Sequence, residues 1–129
     1  MNTAITLEGN LTADPTHRTA ATRGPDTAHG DPDAVLTPVT NLRIAVSDRY
    51  RDPAGTWLTT DPVFYDVTIW GTPATHAAAT LRSGDRVLVH GELRLRSWTG
   101  EDGQTRHTPT ITADMIGLSL RYTTVTPAR

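Results

Sequence analysis

The 129-residue chain contains no cysteine, and every one of its twelve basic residues is arginine. Without cysteine there is no disulfide, thiolate metal site, iron–sulfur cluster or cysteine nucleophile. Without lysine there is no Gly-rich phosphate loop of the GxxxxGKS kind. Aromatics are scarce at 5%, and apolar residues reach only 36%. No apolar run approaches the ~18 residues of a membrane span. Residues 1–9 lack the basic and apolar regions of a secretory signal. The expectation is a single cytoplasmic domain over residues 1–129. The five histidines, His17, His29, His76, His90 and His107, lack metal-ligand spacing. The acids form no spaced pair suited to two-metal hydrolysis. No cofactor, no metal and no enzymatic activity are expected.

What is present is unevenly distributed. The net charge is -2. Residues 1–40 carry two arginines against five acids, and residues 41–129 carry ten against nine. An all-arginine set is compatible with a GC-rich genome. It also supplies the side chain that forks onto phosphates and stacks on bases.

Period-two alternation dominates the chain. Ile5 and Leu7 alternate with polar residues, and Leu42, Ile44 and Val46 mark a second strand. A third strand is expected over 63–70, a fourth from Arg86 to about Trp98, and a return strand over 107–115. Gly117 interrupts, and 118–126 reads as a last extended piece. Residues 14–38 hold Pro15, Pro25, Pro32 and Pro38 and keep no period, so they read as a long flexible loop. Residues 48–61 read as a long hairpin tip. One helix is expected, with Thr72 as N-cap, Pro73 at its first position and Gly84 ending it. Three strands, a helix and two strands is the order of an oligonucleotide-binding fold. The fold class is therefore all-β: a five-stranded Greek-key barrel with one short helix between strands three and four, plus a short C-terminal extended segment.

Alternate residues of a strand share a face. In the third strand Val63, Tyr65, Val67 and Ile69 read as core, leaving Phe64, Asp66, Thr68 and Trp70 outside. In the fourth, Val87, Val89, Leu93 and Leu95 read as core, and the opposite set ends in Arg94, Arg96 and Trp98. The second strand adds Asn41 and Arg43, and Tyr50 follows. Tyr50, Phe64, Trp70 and Trp98 interleaved with Arg43, Arg94 and Arg96 suit single-stranded nucleic acid. Unpaired bases stack on the rings, and arginines meet the phosphates between them. The competing use of such rings is a subunit interface or a plug at the barrel end. Trp57, in the hairpin tip, is read as loop packing.

The chain resembles bacterial single-stranded DNA-binding proteins. The resemblance rests on Gly9-Asn10-Leu11 with Asp14-Pro15 and Arg18, on VTNLRIAVS at 39–47, and on Tyr50-Arg51-Asp52. It continues through FYDVTIWG at 64–71, LRSGD at 81–85, VHGELRLRSW at 89–98 and EDG at 101–103. The end, IGLSLRY at 116–122, is similar to actinobacterial members. The order and spacing of these stretches, more than any one of them, make the likeness specific. It implies a homotetramer that wraps single-stranded DNA at the nucleoid during replication, recombination and repair. The family's stacking aromatics fall on Tyr50, Phe64, Trp70 and Trp98, and its basic pair on Arg94 and Arg96. Arg43, Arg51 and Arg18 complete the candidate set.

Three departures from the family stand out. The segment between the first two strands is long and acidic. Asp66 sits on the proposed face. The sequence ends at Thr126-Pro127-Ala128-Arg129 without the family's acidic tip, the feature that docks replication and repair proteins. Two other readings remain open: a replication-restart relative that works as a dimer beside a primosomal helicase, and a barrel whose face binds protein instead of nucleic acid.

Overall fold

A computed structural model describes residues 3–22 and 35–128. The elements are β1 (Thr3–Leu11), β2 (Thr16–Thr22), β3 (Val35–Val46), β4 (Arg49–Arg51) and β5 (Trp57–Thr59), then β6 (Val63–Trp70), α1 (Thr72–Thr80), β7 (Arg86–Thr99) and β8 (Thr105–Leu118). The main sheet runs β1-β7-β8-β6-β3-β2, and β1 also pairs with β3. That last pairing, Asn10 to Ala45 and Leu11 to Ile44, closes β1, β3, β6, β8 and β7 into a ring. All its pairings are antiparallel except β6 with β8. The expected five-stranded barrel is thus present, with its helix between the third and fourth barrel strands.

The inward-pointing residues of these strands make the core. Leu42, Ile44, Val67, Ile69, Val87, Val89 and Ile111 are buried together with Leu11. Ala74 and Ala77 of α1 and Leu81 beyond it join the same cluster. Buried Thr40 donates its hydroxyl to the Ala74 carbonyl oxygen, tying α1 to β3.

Several expectations need correction. Residues 14–38 are not one loop. Thr16–Thr22 pairs with β3 from Asn41 back to Val35, and Thr16, Thr19 and Thr22 suit a strand even without an apolar alternation. Pro38 lies inside β3, opposite Thr19. Residues 23–34, including Arg23, His29, Pro25 and Pro32, lie outside the described residues. The hairpin tip is itself ordered as β4 and β5, joined around Gly55 at φ +84°.

The helix is capped by Gly71, at φ +80°, so Thr72 is already helical and Pro73 falls in the first turn. It ends at Leu81, which is extended. Gly84 belongs instead to a separate turn, in which the Asp85 carboxylate accepts from the Arg82 backbone N–H. Gly117 does not interrupt a strand either, since β8 runs through it to Leu118. Beyond Leu118, residues 119–128 form no strand.

β8 completes its long run with one irregularity. His90 pairs with Met115 and Gly91 pairs with Ala113, so Asp114 is the extra residue of a bulge. A side chain at Gly91 would run into the backbone of Thr112 and Ala113, which explains glycine at this crossing.

Candidate nucleic-acid interface

The pairing registers decide which outward side chains become neighbours. Arg43 on β3 pairs with Asp66 on β6, which pairs with Thr110 on β8, which pairs with Arg94 on β7. One row along, Asn41, Thr68, Thr112 and Glu92 align in the same way. Toward β2, Arg18 pairs with Val39, which pairs with Trp70. Toward the far end of β7, Arg96 pairs with Thr108 and Trp98 with Arg106. Partners in register point to the same side of a sheet. Arg18, Arg43, Phe64, Trp70, Arg94, Arg96 and Trp98 therefore share one outer surface that crosses β2, β3, β6, β8 and β7.

The rings on this surface are accessible. Phe64, Trp70 and Trp98 are each about 40% exposed. Arg43 lies 4.8 Å above the Phe64 centroid, and Arg106 lies 5.5 Å from that of Trp98. The Trp98 indole N–H donates to Thr108 Oγ1 at 3.0 Å, which fixes the ring while leaving its face open. Arg94 is engaged by Glu92 at 2.6 Å, and Arg106 by Asp102 at 2.6 Å. Asp66, among the described residues, forms no ion pair, although it stands directly opposite Arg43.

Two residues expected in the core are outside it. Val63 is 51% exposed and Leu95 is 66% exposed. Both sit where their strands run past the ring of the barrel, so the inward side of the strand has no second layer to meet.

The hairpin β4–β5 separates residues that the sequence groups together. Tyr50 pairs with Leu58, whereas Arg51 pairs with Trp57. Neighbours along a strand face opposite ways. Tyr50 and Arg51 therefore lie on opposite sides of the hairpin. Trp57 is not packed away, being 54% exposed. Arg49 and Arg51 lie 5.1 Å and 5.0 Å from its centroid. Arg106 and the threonines of β8 were not legible as parts of the surface. Parity assigns a side within one strand, but only register joins strands.

On another part of the barrel wall, Glu8 gathers the segment that follows β8. Its Oε1 accepts from Arg86 at 3.0 Å and Arg121 at 3.3 Å, and its Oε2 accepts from Ser119 Oγ at 2.6 Å. The hydrogen bonds from Arg86 and Ser119 lower the Glu8 pKa from 4.5 to about 2. The histidines of the barrel are occupied by hydroxyls: His90 with Thr6, His17 with Thr40, and His107 with Ser97. Among the described residues no group of three or more His, Cys, Asp or Glu could hold a metal ion. None of the described helices is long and apolar enough to cross a membrane.

A closed five-stranded ring with arginines and open rings along one outer wall is an oligonucleotide-binding barrel. The family model described as "Single-strand binding protein family" matches residues 32–119, and the chain belongs to that family. Its members are non-enzymatic DNA-binding proteins. The chain is 34% identical over 130 residues to single-stranded DNA-binding protein 1 of Tropheryma whipplei (strain Twist), covering 100% of this chain and 63% of that protein. It is also 34% identical over 128 residues to the single-stranded DNA-binding protein of Mycobacterium tuberculosis (strain ATCC 25618 / H37Rv), covering 95% and 68%. Among solved structures, the small single-stranded DNA-binding protein from Streptomyces coelicolor superposes with a TM-score of 0.71 at 32% identity. That match covers 93% of this chain and 96% of the other.

Proposed function

We propose that the outer wall bearing Phe64, Trp70 and Trp98 binds single-stranded DNA without sequence preference and protects it during replication, recombination and repair. The register carries this reading: it brings three open rings and the cations Arg18, Arg43, Arg94 and Arg96 onto one continuous surface. Bases stack on the rings, and the guanidiniums meet the phosphates. Every base has a π-face, so stacking discriminates little among sequences. A duplex hides those faces and binds more weakly. Tyr50, on its own side of the hairpin, extends the track past the Phe64 end of the wall. No cofactor or metal takes part.

The assembly that fits this barrel is a homotetramer. β1 pairs with β7 from Thr3 to Asn10, while β3 reaches only Asn10 and Leu11. The second edge of residues 3–9 is thus open to a copy of itself, and open edges favour such pairing. Sedimentation at micromolar concentration tests this, and a monomer would refute it. A DNA-binding dimer would point to the replication-restart reading.

The decisive experiment compares two substitutions by titration with a single-stranded oligonucleotide. Trp98→Ala weakens binding but keeps its salt dependence, because no phosphate contact is lost. Arg96→Ala lowers the slope of log affinity against log salt by roughly 0.7 per phosphate contact. Equal affinity for single strand and duplex, or no response to either substitution in a tetrameric protein, would exclude this wall as the binding surface. Absence of any binding at low salt would favour a barrel whose face binds protein.

A further inference from the structure

The side of the hairpin away from Tyr50 carries, among the described residues, the strongest chemistry that the outer wall leaves unused. Trp57 is more exposed than Trp70 or Trp98. Two guanidiniums, Arg49 and Arg51, lie within about 5 Å of its centroid. Neither forms an ion pair with a described residue, whereas Arg94, Arg106 and Arg86 all do. Two unpaired cations crowded on one exposed ring repel each other, and an anion relieves that repulsion. Beside them opens a cavity of about 550 Å³. Arg49 and Trp57 form one wall, and Arg86, Arg121 and Tyr122 form another. Tyr122 repeats the motif, with Arg86 and Arg121 at 5.4 Å and 5.8 Å from its ring. Glu8 neutralises part of the second wall through Arg86 and Arg121. Asp48 also lines the cavity, so Arg49, Arg86 and Arg121 face Glu8 and Asp48 there. The balance is positive, and Arg51 adds to it from its place against Trp57.

We propose that this cleft is a second contact site for the same single strand, taking a nucleotide whose base lies on Trp57 or on a guanidinium stacked upon it. Arg49 and Arg51 hold the adjoining phosphates. The charge complementarity and the exposed rings fit a polyanion with flat faces and do not fit an apolar partner. This inference rests on the reading of the outer wall as a single-strand site and extends that track around the hairpin. Tyr50 on one side and Trp57 on the other would let a strand pass over the hairpin, as a longer oligonucleotide requires.

The test uses the full chain. In the variant Trp70→Phe with Trp98→Phe, Trp57 is the sole tryptophan, so its fluorescence reports only the cleft. Oligothymidylates of about 8 and about 35 nucleotides are added, the shorter within the span of one such barrel. The expected result is quenching of Trp57 by the longer strand and little by the shorter. In the otherwise native protein, Trp57→Ala should weaken binding of the longer strand about tenfold, the scale of one lost stacking contact, and the shorter less than twofold. Trp57→Phe should restore most of that loss. Arg49→Ala should lower the salt slope for the longer strand by roughly 0.7. A Trp57 signal unmoved by strands that quench native protein would overturn the proposal, as would unchanged affinity together with a smaller assembly in Trp57→Ala. The second outcome would make the cleft a contact between subunits. If Trp98→Ala has no effect while Trp57→Ala does, the cleft stands and the outer wall falls.

Discussion

The two halves of β7 follow the same rule of alternation and end up differently. In the first half, Val87 and Val89 are completely buried. In the second half, Leu95 has the same parity and is 66% exposed. Beyond the bulge at His90 and Gly91, backbone pairing with β8 resumes and runs to Thr99 and Thr105, so the difference is not one of strand formation. Around Val89 the ring closes and other strands supply a second layer. Around Leu95 only a two-stranded arm remains. Alternation thus reports that a strand exists and which sides it has. Whether a side is buried depends on what lies across from it.

That contrast is sharpest in the response to truncation. Ile111 lies between Val67 and Leu93 and is 1% exposed. Ile111→Ala should cost about 2–5 kcal/mol of stability, read from denaturant unfolding. In the arm, truncation should act on binding instead. Trp98→Ala should cost about 1–3 kcal/mol in affinity for a single strand, with the unfolding midpoint nearly unchanged. If Trp98→Ala unfolds the protein as readily as Ile111→Ala, the division between barrel and arm is wrong.

A third region behaves like neither. The segment after β8 is held by charge, through Glu8, rather than by apolar packing. The Glu8 pKa is lowered in the folded state from 4.5 to about 2. Its stabilising contribution is therefore complete above pH 4.5 and fades as pH falls toward 2. Melting temperature should decline across that window, and residues 119–128 should become more open to acid protease. Glu8→Gln should flatten that part of the pH profile. Smaller again is the effect of Asp66, which stands opposite Arg43 and forms no ion pair among the described residues. Asp66→Asn should tighten single-strand binding severalfold at low salt and less at high salt, as measured by titration. The smallest effect should be Leu95→Ala, expected to change stability by less than about 0.5 kcal/mol, since the side chain has no layer to lose.

Much of the barrel was legible because its inward residues are aliphatic and evenly spaced. Leu42, Ile44, Val67, Ile69, Val87 and Val89 announce three strands and their inner sides. β2 was not legible, because Thr16–Thr22 carries no apolar stripe. The helix was legible from its alanines, but its start was read one residue late because threonine is a commoner cap than glycine. On the candidate wall, Phe64, Trp70, Arg94, Arg96 and Trp98 follow from parity alone. Arg51 groups with Tyr50 by adjacency in the chain, and the alternation of successive side chains along a strand separates the two in space. Trp57 stands among turn residues and so reads as packed, but its ring lies against the Arg49 and Arg51 guanidiniums and stays more than half exposed.

The bulge at Asp114 sets how this chain tolerates gain and loss of residues. Inward positions on β8 are Ile111 and Ala113, then Ile116 and Leu118. Deleting the exposed Asp114 would turn that sequence into a flawless alternation. By pattern the shortened strand would look improved. In the folded molecule the extra residue bends β8, so that it lies beside β6 at 110–113 and still follows β7 to Leu118. A one-residue deletion here should therefore open the ring, whereas the same deletion in the turn at 100–104 only resizes an exposed tip. The length of this protein is constrained at a point where its composition is not.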